Sequence, residues 1–344
     1  MLATRFTELV GCTVPIQQAG MGAVSPPELA AAVSNAGGLG MVGTARWGGR
    51  ALPGLERLID ATQALTDRPF GVNFVVSDPH MESTDPGCFA LAARRARLVE
   101  FFWRWPDPAL VATVHEQGAL VSWQVGSKEE AVAAAEAGVD LIVAQGVGAG
   151  GHVRGTVGVL ALLDEVLEAV DVPVLAAGGI GSGRALAAVL AAGADGARMG
   201  TRFVAAVESD AHPRYLEALI AARPGDTVYG STFNAWWDAP GRVLRSCVAA
   251  AEAFPGEVVG ETPSLDGTRE PLPRFSPEAI NRDTTGAIEA MSLWAGESVG
   301  GVTRVLPAAE IVREVADEAE RLLGRWGDRE LASSSGRTAA DGAS

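Results

Sequence analysis

The sequence predicts an α/β protein, a TIM (β/α)8 barrel with a C-terminal segment over its catalytic face, and three observations support this. Three short, mostly apolar runs are typical of strands buried on both faces of a parallel sheet: residues 141–144, 174–177 and 197–199. Each run ends in a loop that contains glycine, and helical stretches separate the runs. The length of 344 residues fits one such barrel with an added segment.

The same alternation of strand and helix extends back to the N-terminus. The predicted barrel strands are residues 14–19, 39–42, 70–75, 99–103, 119–125, 141–144, 174–177 and 197–199. Capping residues mark helix starts, because Ser25 precedes two prolines and a glutamate, and Ser127 precedes a pair of glutamates. The predicted helices include residues 28–35, 53–65, 91–97, 107–117, 127–138, 208–223 and 307–326.

Four regions are predicted along the chain. Residues 1–205 form the barrel core, and residues 206–300 form a smaller irregular or helical segment that covers the site. Residues 301–328 return to the barrel as a C-terminal helix, and residues 329–344 are expected to be a disordered tail of small polar residues. Residues 77–89, rich in Asp, Pro and Gly, are predicted to be a mobile lid.

The composition excludes several classes of function. A net charge of −15 and a pI near 4.8 oppose binding to nucleic acid or to anionic membranes, because a polyanion would be repelled. Cys12, Cys88 and Cys247 are widely spaced, which disfavours a disulfide framework and a metal site. The sequence shows no secretory signal pattern and no apolar run of membrane-spanning length, so a cytoplasmic protein is expected.

A pair of glycine motifs gives the strongest chemical signal. AAGGI (residues 176–180) and MGTRF (residues 199–203) follow the last two strands, where barrels commonly hold a phosphate. The main-chain N–H groups of Gly179 and Gly200 are predicted to face phosphate oxygens. The alternative is that both motifs are only tight strand-to-helix turns. The glycines do not identify the ligand, since flavins and sugar phosphates use the same pattern.

His152 closes the glycine-rich loop QGVGAGGH at the catalytic end and is the predicted catalytic residue. A histidine there can act as a general base or acid near neutral pH. The alternative is a histidine that only shapes its loop. His212, at a helix start, is predicted to be structural or at the rim of the site, and His115 is predicted to be exposed on a helix. His80, in the predicted lid, is expected to be structural rather than a substrate contact.

Amide and aromatic side chains are further candidates. Asn73 and Gln124 lie towards the C-terminal ends of the third and fifth strands, where an amide offers a donor and an acceptor to a planar heterocycle. Capping of the strand ends is an equal alternative. Trp236 and Trp237 could wall a flat ligand, although plain packing is expected of at least one of them.

Several segments, in the same order, resemble the nitronate monooxygenase family: QQAGMGAVSPPELAAAVSNAGGLG, PFGVNF, AQGVGAGGH, VPVLAAGGI and GADGARMGTRF. LWAGESVGGV, near residue 300, is similar to the C-terminal segment of the family, so the likeness covers nearly the whole chain. The resemblance implies a TIM barrel that binds FMN non-covalently. It also implies oxidation of alkyl nitronates by FMN and O2 to a carbonyl compound and nitrite.

The resemblance also implies roles for individual residues. His152 matches the catalytic histidine of the family, which removes the α-proton where a neutral nitroalkane is accepted. Gly178, Gly179, Gly200 and Thr201 would hold the FMN phosphate. The other residues implied to bind FMN are Gly20, Met21, Gly22, Asn73, Gln124, Gln145, Gly150 and Gly151.

Two alternatives remain beside the nitronate chemistry. Similar sequences include NAD(P)H-dependent FMN reductases of quinones and of enoyl thioesters, and a barrel without flavin could bind another phosphate ligand. The expected partners are a small-molecule substrate and O2, with NAD(P)H for a reductase. The chain departs from the common pattern at Gln124, where some members carry Lys or Thr, and at Arg154, which would bring positive charge near an anionic substrate.

Overall fold

Eight parallel strands form the predicted TIM barrel in the part of the chain that the computed structural model describes, residues 2–45, 49–235, 237–264 and 268–337. The strands are β1 (Ile16–Gln18), β2 (Gly40–Gly43), β3 (Phe70–Val75), β4 (Leu98–Phe102), β5 (Leu120–Val125), β6 (Leu141–Gln145), β7 (Val174–Ala177) and β8 (Gly196–Met199). Each strand pairs in parallel with its neighbour from β2 through to β8, and β8 pairs with β1. A parallel bridge between Gln17 and Leu39 closes the barrel.

Helices connect the strands and cover the barrel. Their bounds are Arg5–Val10, Pro27–Asn35, Leu52–Leu65, Asp78–Glu82, Gly87–Arg95, Pro108–His115, Lys128–Glu136, Val159–Ala169, Gly183–Ala191, Thr201–Val204, Pro213–Ala221, Arg245–Ala253 and Ala308–Arg337. The Ser127 side chain caps its helix, as predicted, by accepting from the N–H of Glu130. None of the helices within the described ranges is long and apolar enough to cross a membrane.

The prediction of a loop at residues 77–89 is wrong. This segment contains the helix Asp78–Glu82 and the start of the helix Gly87–Arg95. Ser77 stands at the N-cap position of the first helix, and a proline occupies its first turn. The Asp and Pro residues that indicated a loop therefore mark a helix start, which is a position that both residue types favour.

Side chains on the strands alternate between the barrel interior and the surrounding helices. Val99 and Phe101 pack in the large core between sheet and helices. Leu98 lies on the opposite face, in a smaller cluster inside the barrel that Phe6 of the first helix also joins. Two positions after Leu98, the same inward face carries Glu100. The interior therefore changes from apolar to polar towards the C-terminal ends of the strands.

The segment after the barrel contains strands that the sequence did not indicate. Gly241–Leu244 pairs with Thr227–Gly230 and also with the short strand Gly151–His152. Val258–Pro263 pairs with Arg269–Pro273 and Thr285–Gly286. Apolar side chains of this segment form a second hydrophobic core. The expectation of an irregular segment is wrong here, because these strands are short and carry the glycines and prolines that normally disfavour strands.

The remaining segments are short or terminal. Single 3-10 turns occupy Gly22–Val24, Pro224–Asp226, Ile288–Ala290 and Glu297–Gly301. The last helix runs from Ala308 to Arg337, so it begins one residue after the predicted start and ends further along the chain. Residues 338–344, which belong to the predicted tail, lie outside the described residues. The division of the chain into four regions remains a prediction.

Gly40→Ala tests how closely β2 packs on the helix Pro27–Asn35. A Cβ atom at residue 40 would come within 1.9 Å of the Ala30 carbonyl oxygen, which belongs to the backbone and cannot rotate away. We expect the free energy of unfolding to fall by about 3 kcal/mol or more, measured by urea denaturation. Gly324→Ala is the matched control, because its Cβ meets no atom within 4 Å. It should stabilise the last helix by up to about 1 kcal/mol, and equal effects of the two changes would contradict the packing.

Candidate functional site

The C-terminal ends of the barrel strands open into a cavity of about 460 Å³. Every residue predicted to bind the cofactor lines this cavity, together with His152: Gly20, Met21, Gly22, Asn73, Gln124, Gln145, Gly150, Gly151, Gly178, Gly179, Gly200 and Thr201. The volume lies in the range of small-molecule and cofactor sites. The structure therefore brings the predicted site residues together, while their role in binding a cofactor remains a prediction.

One end of the cavity is built from the glycine loops that follow β7 and β8. Gly179 has a φ of +73°, a backbone conformation that favours glycine. A Cβ atom at residue 179 would meet no protein atom within 4 Å, so a larger side chain there would enter the open space of the cavity. The Thr201 and Ser298 side chains line the same cavity. Main-chain groups and hydroxyls of this kind suit a phosphate group.

Strand pairing fixes the position of His152. The short strand Gly151–His152 pairs with Gly241–Leu244 of the covering segment, in a register that places Gly241 opposite His152. The Nδ1 atom of His152 lies 3.2 Å from the carbonyl oxygen of Ala239. A carbonyl oxygen only accepts hydrogen bonds, so Nδ1 carries the proton and Nε2 keeps its lone pair. Burial lowers the pKa of His152 to about 4, so the imidazole is neutral at neutral pH.

Three tryptophans surround the His152 ring. The ring centroids of Trp237, Trp294 and Trp103 lie 4.1, 4.7 and 6.0 Å from that of His152. Trp237 and Trp294 also line the cavity, whereas Trp236 lies outside the described residues. The aromatic wall excludes water from one side of the imidazole and leaves little room for it to rotate.

Arg154 lies behind this wall. Its Nε donates to Glu130 Oε1 over 2.7 Å, and its guanidinium lies 5.5 Å from the centre of the Trp103 ring. Arg154 also donates to the carbonyl oxygen of Trp103, a residue held at a φ of 89° that side chains rarely adopt. The described residues that line the cavity do not include Arg154. Its charge is paired with Glu130, and an effect of Arg154 on an anionic substrate remains a prediction.

Two residues that sequence reasoning did not place in the site also line the cavity, His80 and Arg50. His80 Nδ1 lies 2.5 Å from Ser77 Oγ, and its ring centroid lies 4.5 Å from that of Trp237. Burial lowers the pKa of His80 to about 3, with smaller effects from Arg50 and His152. Burial also lowers the pKa of Arg50, to about 10, against the opposing effect of Glu278. His80 reaches the wall because residues 78–82 form a helix.

His212 and His115 lie apart from the cavity lining, as predicted. His212 Nδ1 accepts from the N–H of Arg214 over 3.1 Å and so caps the helix Pro213–Ala221. His115 Nε2 lies 2.8 Å from Asp140 Oδ2 on the exposed face of the barrel. Among the described residues, no group of His, Cys, Asp and Glu side chains is placed to hold a metal ion.

A buried ion pair lies inside the barrel beside the cavity. Glu100 is 0% exposed and pairs with Arg198, which is 7% exposed and lines the cavity. Asn73 Nδ2 donates to Glu100 Oε1 over 2.8 Å, and Gln17 Nε2 donates to Glu100 Oε2 over 3.2 Å. Sequence reasoning missed this pair. The available signal was a charged residue inside each of two apolar strands, at a position that alternation turns inward.

A family model described as nitronate monooxygenase matches residues 3–90 and 88–318. The chain is 32% identical to a nitronate monooxygenase of Paraburkholderia phytofirmans over 361 aligned residues, which cover 92% of this chain and 94% of that protein. It resembles the solved structure of a nitroalkane oxidase from Streptomyces ansochromogenes with a TM-score of 0.73 and 30% identity, covering 92% of this chain and 98% of that one.

A relative with a different name is also similar. The chain is 38% identical to the (3aS,4S,5R,7aS)-5-hydroxy-7a-methyl-1-oxo-octahydro-1H-indene-4-carboxyl-CoA dehydrogenase of Rhodococcus jostii over 259 residues. This match covers 75% of this chain and 70% of that protein. The comparisons therefore include both oxygenase and dehydrogenase names.

His152→Asn should change how stability depends on pH. Unfolded His152 takes up a proton near pH 6.5, but the folded residue does so only near pH 4. Between these values the unfolded state binds more protons, so stability falls as the pH falls from 6.5 towards 4. Protonation of His152 in the unfolded state should by itself lower the free energy of unfolding of the wild type by about 2 kcal/mol between pH 7 and pH 5. Urea denaturation at both pH values should show a smaller loss of stability in the variant, and an unchanged loss would mean that folding does not lower the pKa of His152.

Proposed function

Because the chain belongs to the nitronate monooxygenase family, we propose that it is an FMN-dependent enzyme that oxidises alkyl nitronates with O2 to a carbonyl compound and nitrite. Family membership makes the chain an oxidoreductase. One observation carries the finer proposal. His152, with its Nε2 lone pair available, and the glycine loops at Gly178, Gly179 and Gly200 line the same cavity.

The lining residues fit FMN, which has a phosphate at one end and a planar ring system with N–H and carbonyl groups at the other. The open space beside Gly179 can receive a phosphate. Gln145 lines the cavity, and its Oε1 is buried without a hydrogen-bond partner in the described structure. Such an atom is expected to accept from a ligand N–H group. Bound FMN would supply the electron acceptor for the oxidation.

His152 has two possible tasks in this proposal. With a neutral nitroalkane, Nε2 would take the α-proton and leave the nitronate, while the Nδ1–H stays hydrogen-bonded to the carbonyl oxygen of Ala239. With a preformed nitronate, no proton need move and His152 would orient the anion. A pKa of about 4 makes the imidazole a weak base. We therefore expect preformed nitronates to react more readily than neutral nitroalkanes.

A second candidate is a dehydrogenase or reductase of a coenzyme A thioester. The observation in its favour is the 38% identity to the Rhodococcus jostii dehydrogenase, whose named substrate carries a fused ring. Trp237 and Trp294 give the cavity flat apolar walls that suit a ring of this kind. In this case NAD(P)H is the expected electron donor when the enzyme works as a reductase.

Gly179→Val should weaken the retention of FMN. The valine side chain would enter the space proposed for the phosphate, and the φ of +73° adds strain at the same position. We expect at least a tenfold increase in the dissociation constant for FMN, measured by titrating the apoprotein and following flavin fluorescence. Gly158→Val is the control, because its Cβ also meets no atom within 4 Å but it does not line the cavity. Equal affinity in both variants would place the phosphate elsewhere.

Anaerobic visible spectra test the reaction itself. We expect the oxidised flavin band of the purified protein to bleach on adding a nitronate and to persist on adding NADH or NADPH. Bleaching with the nicotinamide only would favour the reductase. A protein that takes up no FMN would contradict both proposals and favour another phosphate ligand.

His152→Asn separates the two tasks of the histidine in the same assay. The variant should lose turnover of neutral nitroalkanes about a hundredfold, the usual scale for removing a general base. Its loss with preformed nitronates should be much smaller. Equal losses on both substrates would show that His152 does not act by removing the proton.

A further inference from the structure

The buried ion pair between Glu100 and Arg198 has no evident explanation in stability. Glu100 lies on β4 and Arg198 on β8, and three strands separate β4 from β8 on one side of the barrel. A pair of opposite charges in a protein interior loses so much hydration that apolar residues of similar size often stabilise the fold as well or better. A pair placed beside a cavity is therefore a candidate for a role in what the cavity binds.

The two charged side chains differ in whether they contact the cavity. Arg198 lines the cavity, whereas Glu100 is fully buried and is held by Asn73 and Gln17 through hydrogen bonds of 2.8 and 3.2 Å. A ligand in the cavity therefore meets the guanidinium first and its counter-charge behind it. Asn73, which donates to Glu100, also lines the cavity. Because Asn73 is one of the residues expected to surround the flavin ring, the proposed FMN site puts the pair beside that ring.

We propose that Arg198 raises the reduction potential of the bound flavin and that Glu100 is a positioning residue that limits this effect. The inference rests on the proposed FMN site. Bound flavin would supply the electron acceptor, and its form reduced by two electrons and one proton carries one more negative charge than its oxidised form. A fixed positive charge in the interior, where screening is weak, stabilises that reduced state relative to the oxidised one.

Removing Arg198 and removing Glu100 should shift the reduction potential of the bound flavin in opposite directions. Arg198→Gln removes the positive charge and leaves Glu100 behind it, which disfavours the negatively charged reduced flavin. Glu100→Gln leaves the positive charge of Arg198 uncompensated, which favours the reduced flavin. A general loosening of the barrel has no reason to move the potential in opposite directions, so the signs of the shifts separate an electrostatic role from a purely structural one.

The experiment measures the midpoint potential of FMN in the holoproteins by equilibration with reference dyes. We expect Glu100→Gln to favour the reduced form about threefold and Arg198→Gln to disfavour it about tenfold, which are shifts of about 15 mV and about 30 mV for a two-electron couple. The double variant should lie between the wild type and Arg198→Gln, because it removes both charges. Arg304→Gln is the control, since it breaks an exposed ion pair with Glu314 and should leave the potential unchanged.

The measured potentials either support the role of Arg198 or overturn it. Arg198→Gln leaves Glu100 buried and unpaired and could for that reason fail to fold. In that case the potential of Glu100→Gln should still lie above that of the wild type, and the potential of the double variant below it. Shifts of the same sign, or potentials that match the wild type, would overturn the role of Arg198 and leave the proposed function intact. A wild-type protein that binds no flavin would overturn both.

Discussion

The geometry of the site depends on the pairing of Gly151–His152 with Gly241–Leu244. This pairing joins the loop after β6 to the segment that follows the barrel, and the Val153 N–H adds a hydrogen bond of 2.9 Å to the Pro240 carbonyl. The contact is close, because a Cβ atom at Gly241 would come within 2.6 Å of the Gly151 carbonyl oxygen and of the Trp294 ring. The covering segment therefore holds the loop that carries His152 in place, and losing the pairing would displace His152.

Desolvation controls the charges around the cavity. The chain carries a net charge of −15, yet the ionisable groups that line the cavity include Arg50, Arg198 and two histidines. Burial keeps both histidines neutral by lowering their pKa values. The positive charge in the cavity is therefore confined to guanidinium groups, which hold their proton when buried. Two carboxylates oppose part of that positive charge, because Glu278 lies near Arg50 and Glu100 pairs with Arg198.

The sequence predicts the parts of the site that depend on local signals. The bounds of β3 and β7 agree with the predicted strands, and the glycine loops reach one cavity because parallel strands deliver their C-terminal ends to the same face. What it misses depends on contacts between distant residues. The strand Gly241–Leu244 exists because it pairs with Gly151–His152, and the Glu100–Arg198 pair forms only when the barrel closes. The residue pattern of a single segment predicts neither contact, because each contact joins residues that are far apart in the sequence.

The two halves of the cavity are built by different parts of the chain. The barrel strands and the short loops after them provide the glycine loops after β7 and β8, the amide side chains and the buried ion pair. Regular backbone holds these groups in place. The covering segment provides Trp237, Pro277, Glu278 and Trp294. Under the proposed function, the barrel half would hold the cofactor and the covering segment would contact the substrate. The side chains that contact the substrate could then differ between relatives without disturbing the cofactor site. Such a division would allow relatives named as an oxygenase and as a dehydrogenase to be about one-third identical to this chain, and under it the search for the substrate begins at Trp237 and Trp294.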